Sequence, residues 1–171
     1  MKKLGLRLTI VFVLVFLTGA GGAFAATANV NQTVNAAVGS VANLSLGATA
    51  INFPSADPDV TSSIPATENG ANGVQVVAKA RTGSSSSVTL TVTTGNLTSG
   101  SDTILPSNVS WTLGTGSASG YAAGSMGTAQ SVGSWTGSGS RTGYLIYAFT
   151  NSWSYAPGSY SATAAYTLTA P

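Results

Sequence analysis

Val88-Thr89-Leu90-Thr91-Val92-Thr93 alternates apolar and hydroxylated side chains at every position. Successive side chains of a strand point to opposite faces, so a period of two sends Val88, Leu90 and Val92 to one side and the threonines to the other. The same period runs through 74–81, where Val74, Val76, Ala78 and Ala80 share a face opposite Lys79 and Arg81. Further strand candidates are 108–113, 143–150 and 159–170, the last with Tyr160, Ala162, Ala164, Tyr166 and Leu168 on one face. Between them lie turn-forming stretches at 54–58, 67–73, 83–87, 95–101, 114–124 and 133–141, and Pro157-Gly158. No long apolar stripe of helical period appears, and Gly, Thr, Ser and Val are poor helix formers. One polar face per strand argues for antiparallel pairing, because parallel strands are usually buried on both sides. The fold expected is all-β, an antiparallel β-sandwich of Ig-like Greek-key type.

The Ser/Gly-rich stretch 114–140 carries Tyr121, Met126, Val132 and Trp135. A disordered tract usually lacks such residues, so it reads as loops with one or two strands. Within it and just beyond, Gly137 to Gly143 reads as a glycine-rich hairpin bend; a phosphate loop would need a strand-to-helix context that is missing here.

At the other end of the chain, Lys2, Lys3 and Arg7 precede an apolar run from Leu8 to Leu17, which closes on Ala23-Phe24-Ala25. This is the layout of a secretory signal peptide with cleavage after Ala25; the run is too short for a permanent membrane span of roughly 20 residues. The expected organisation is therefore a signal peptide, 1–25, and a single β-sandwich domain, 26–171, that acts outside the cell or at its surface. Three cations, Lys79, Arg81 and Arg141, then face four carboxylates, Asp57, Asp59, Glu68 and Asp102, for a net charge of −1 beyond the signal. Three scattered cations make no basic patch, which sets nucleic acid aside as a partner.

The chain has no histidine and no cysteine. Serine–histidine triads, imidazole bases and thiolate nucleophiles are all excluded, and no enzymatic activity is expected. A carboxylate hydrolase would need two acids facing each other across a cleft. Asp57 and Asp59 instead bracket Pro58, which is the chemistry of a turn. Their sharper reading is a weak calcium loop, with hard oxygen ligands but without a full ligand pattern; no other cofactor is expected.

Trp111, Trp135 and Trp153 could form a stacking platform for sugar rings, as in a carbohydrate- or peptidoglycan-binding module, or they could fill the core. Residues 28–38 form another amphipathic candidate, with Ala28, Val30, Gln32, Val34, Ala36 and Val38 on alternate positions directly after the cleavage site. Such a strand pairs either within its own domain or with a neighbour's sheet edge, and Ala28, Val30, Val34 and Val38 would be the assembly contacts.

The closing segment, Pro157-Gly-Ser-Tyr-Ser-Ala-Thr-Ala-Ala-Tyr-Thr-Leu-Thr-Ala-Pro171, together with Trp111-Thr-Leu113, resembles the WxL cell-wall proteins of Gram-positive bacteria. Tyr166-Thr-Leu168 stands where that family has a second Trp-x-Leu. The order of signal, first strand and Tyr-rich last strand also resembles fimbrial and spore-coat-U-like subunits. Either resemblance implies a non-catalytic cell-surface protein, adhesive or structural, whose partners are copies of itself or cell-wall glycan.

Overall fold

A computed structural model describes residues 30–171. The signal peptide and Ala28 lie outside the described residues. Contacts divide the chain at Ala36, and the sandwich belongs to the unit Ala37–Pro171.

In chain order the strands are β1 (Val41–Leu46), β2 (Ser63–Pro65), β3 (Val74–Arg81), β4 (Ser87–Thr94), β5 (Leu97–Ser99), β6 (Asp102–Ile104), β7 (Val109–Leu113), β8 (Gly124–Ser125), β9 (Gln130–Thr136), β10 (Gly139–Thr150) and β11 (Ala164–Thr169). Two short 3-10 turns, Thr67–Asn69 and Pro106–Asn108, are the helical elements among the described residues. The larger sheet has the order β1-β3-β10-β7-β8, with β2 also on β10; the second is β11-β4-β9, and β5 and β6 form a small hairpin. Every pairing is antiparallel. In the two larger sheets only β7 and β8 are neighbours both in sequence and in space, so the chain repeatedly crosses from one sheet to the other.

The alternating residues meet between the sheets. Val76, Ala78, Val88, Leu90, Val92, Val132 and Leu145 are fully buried. Their threonine neighbours Thr89, Thr91 and Thr93 are partly or fully exposed. Opposite Leu90 and Thr91 the register of β9 slips by one residue, a bulge that turns both Val132 and Gly133 inward. Tyr121 packs on the inner face of β10 at Gly143, where a Cβ would sit 2.6 Å from the ring, so only glycine fits.

β10 is the spine of the larger sheet. Its first half pairs with β3 up to Leu145, and β2 takes over on the same side from Ala148. The interval at Tyr147 is filled by a side chain. Asn69 Nδ2 donates to the Tyr147 carbonyl at 2.7 Å, and its Oδ1 accepts the Tyr147 N–H at 2.8 Å, so the amide completes the hydrogen-bond ladder where no strand runs. Buried main-chain polar groups need such partners.

Several expectations are corrected. Residues 30–40 form no strand, and pairing begins at Val41; β1 and β2 had no counterpart in the periodicity reading. The strand expected over 159–170 is confined to Ala164–Thr169, and that expected over 143–150 begins earlier, at Gly139. The bend at Gly137 is no hairpin: β9 lies in one sheet and β10 in the other, and the two-residue link carries the chain between layers. Gly137 has φ +76°, a conformation that side-chain-bearing residues rarely adopt.

Candidate functional site

Two of the three tryptophans belong to the core. Trp111, 1% exposed on β7, donates its indole N–H to the Ala122 carbonyl at 2.8 Å. Trp135, 7% exposed on β9, packs near Tyr121, and the Arg141 guanidinium lies 5.5 Å from its ring centre. Its Nε1 is buried without a hydrogen-bond partner. Of the two readings offered for these rings, core filling therefore holds for Trp111 and Trp135, and neither is a wall or glycan contact: both sit on the inward face of their strands, Trp135 beyond the bulge in β9.

Trp153 is different, at 70% exposed. It occupies the turn after β10, closed by the Tyr155 N–H donating to the Ser152 carbonyl. Its Nε1 donates to Asp59 Oδ1 at 3.0 Å, joining two of the sequence candidates across 94 residues. Asp59 is itself held in a turn: its N–H donates to Asp57 Oδ1 at 2.9 Å, and the Val60 and Thr61 N–H groups donate to the Asp57 carbonyl. Asn151 laces the two loops together, its Nδ2 reaching the Ala56 and Thr61 carbonyls at 3.0 Å each while its N–H reaches Ser62. Asp57 and Asp59 thus share one turn, and one oxygen of each carboxylate already accepts an N–H. Among the described residues no cluster of three or more His, Cys, Asp or Glu side chains forms a cation site.

A more densely hydrogen-bonded carboxylate lies elsewhere. Glu68 accepts from the Asn52 N–H at 2.7 Å, Asn52 Nδ2 at 2.6 Å and Thr67 Oγ1 at 2.8 Å. These donors, with the Asn52 main chain foremost, favour the charged carboxylate and hold its pKa down to about 2.

The remaining candidate residues lie toward the start of the described chain. Val30 and Val34 are 93% and 85% exposed, and Val38, in the unit Ala37–Pro171, is 70% exposed. None belongs to a strand. In the sandwich, β1 and β11 are the end strands of their sheets and approach each other on the same side. Among the described residues neither has a strand partner on its outer edge. The inward residues here, Leu44 on β1 and Ala164, Tyr166 and Leu168 on β11, are only half-buried, in contrast to the closed centre on β3 and β4. This margin is the one the periodicity could not reveal, because it is defined by pairing that does not occur.

Fold and geometry together define an antiparallel β-sandwich with one open apolar side and one exposed, pinned indole. Compared with known proteins, the chain matches no family model, no curated protein and no solved structure. No helix among the described residues is long and apolar enough to cross a membrane.

Proposed function

We propose that this chain is a secreted, non-enzymatic cell-surface subunit, structural or adhesive, that assembles by lending its N-terminal segment, residues 28–38, to the open side of another copy. The observation that carries this reading is the pairing of two deficits in one molecule. Val30, Val34 and Val38 fall at positions that would share one face of a strand yet are exposed and belong to no strand, while β11 ends its sheet over a half-covered apolar margin. An extended segment laid along β11 would complete the hydrogen-bond ladder and bury its valines over Leu44, Tyr166 and Leu168, each buried valine contributing about 1.5–3 kcal/mol. Exposed strand edges are otherwise a liability that proteins blunt with charge or proline. β11 carries neither. The absence of histidine and cysteine supports the non-enzymatic part, and the signal-like residues 1–25 support export.

The test is the mass distribution of the chain from residue 26, measured by light scattering beside a version lacking residues 26–38 and a Val34→Asp variant. Oligomers from the intact chain with folded monomers from both variants are expected. Folded monomers from all three at high concentration would end the proposal.

A further inference from the structure

An exposed tryptophan leaves a large apolar surface in water, and tryptophan is usually mostly buried. Trp153 is held in that position rather than left free. Its indole N–H is tied to a carboxylate at 3.0 Å, and the loop behind it is fastened to the facing turn by three hydrogen bonds from Asn151. A ring already fixed in one orientation loses little conformational freedom when a ligand docks on its face. The molecule thus keeps an indole preorganised and open to solvent.

The surroundings narrow the chemistry of what docks there. Asp59 has its second oxygen free to accept, Asp57 stands beside it, and Ser152 and Ser154 share a hydroxyl–hydroxyl contact of 2.8 Å in the same turn. The three cations of the described chain lie on β3 and at the start of β10. β10 runs from Arg141 to the turn at Asn151, roughly 30 Å at the rise of a strand, so none of the three cations among the described residues is near the indole. A ligand here must offer a flat apolar face to the indole and hydroxyl donors to the carboxylates, and it must carry no negative charge. A neutral pyranose ring meets all three demands: its C–H face stacks on the π-system and its hydroxyls point outward in the ring plane. A quaternary ammonium also favours indole, but its recognition uses a cage of aromatic rings. Trp153 is 70% exposed and pairs with no other ring among the described residues, and Phe53, Phe149 and Tyr155 pack tilted against one another, with centroids 5.7 Å apart, rather than around it.

We propose that Trp153 and Asp59 form a glycan-binding site that takes a neutral saccharide ring, the indole as platform and the free oxygen of Asp59 as hydroxyl acceptor. This goes beyond the assembly reading and does not depend on it; the two surfaces use different residues.

The test uses the chain from residue 26, titrated with cellohexaose and chitohexaose while tryptophan fluorescence is followed, with a retention assay on insoluble cellulose and chitin. Trp111 and Trp135 are buried, so a change on binding reports Trp153. Saturable binding is expected, weakened about tenfold or more by Trp153→Ala, less by Trp153→Phe and measurably by Asp59→Asn, with far-ultraviolet circular dichroism unchanged. Choline and polygalacturonate serve as competing probes. No response to either neutral oligosaccharide, equal binding by Trp153→Ala, or a response to choline alone would each overturn the proposal. Running the same titration in the Val34→Asp background separates it from assembly: glycan binding retained by a monomer supports the site whatever becomes of the strand exchange.

Discussion

Tyr147 and Tyr166 meet hydroxyl to hydroxyl at 2.6 Å, and because one is on β10 and the other on β11 the contact joins the two sheets. Burial raises the pKa of both, and for Tyr147 the proximity of Tyr166 raises it further. A group whose folded pKa lies above its unfolded value stabilises the fold fully below the unfolded value, about 10 for tyrosine, and that stabilisation is lost as pH rises beyond it. Urea unfolding at neutral pH should find Tyr147→Phe less stable by about 1–2 kcal/mol, since the Tyr166 hydroxyl is left without its partner. The double replacement with Phe should cost less than the sum of the single ones, and its stability should fall less steeply above pH 10 than that of the parent. A loss in the double variant equal to the sum of the two single losses would show the hydroxyl contact to be without energetic coupling. At this same scale lies the limit of what the sequence discloses about the site. Trp153 and Asp59 are each visible as candidates, one aromatic and one turn acid, but their 3.0 Å bond spans 94 residues and no local pattern encodes it. Trp111, by contrast, was separable from Trp153 in principle, for it sits in phase with buried Val109, whereas Trp135 is three residues from buried Val132 and faces inward only because of the bulge between them.

Strands with one buried and one wetted face were legible, and those without were not. β3 and β4 match the periodicity because Val74, Val76, Val88, Leu90 and Val92 must all leave water, so the pattern of burial is written directly into residue type. β1, Val-Ala-Asn-Leu-Ser-Leu, is an end strand with five of its six residues exposed, so little burial constrains its composition and its alternation is faint. Residues 28–38 alternate more clearly than β1 yet are not a strand over their described part, because alternation states which face would be buried and not whether a partner is present. Cysteine chemistry offers a direct reading of where that segment goes. The chain has no cysteine of its own, so Asn35→Cys, out of phase with the valines of the segment, in one copy and Ala165→Cys, on the outward face of β11, in another supply a single possible cross-link between the segment and β11. Mild oxidation of the mixture should give a covalent heterodimer, seen on a non-reducing gel, in clear excess over the product of Asn35→Cys with Ser131→Cys on the exposed face of β9. Equal yields from both mixtures would place the segment elsewhere.

Across the whole molecule, charge is sparse, 6% of residues, and its few members are spread apart: Lys79, Arg81 and Arg141 toward one end of β10, Asp57 and Asp59 by the turn beyond its other end. Association driven by valine burial and main-chain pairing should therefore be insensitive to sodium chloride and strengthened by sulfate, which enhances apolar burial. Light scattering at fixed protein concentration across both salts checks this, and dissociation by sodium chloride alone would point instead to contacts between the charged ends. The unpaired edge of β11 has a consequence for growth. In the proposed assembly the lending segment and the receiving edge are different surfaces of one chain, so each joining event would consume one of each and leave one of each at opposite extremities. Such a series has direction and no natural stopping size. A copy that has lost residues 26–38 can receive but not lend, and a small proportion of it would set the length of everything built from the rest.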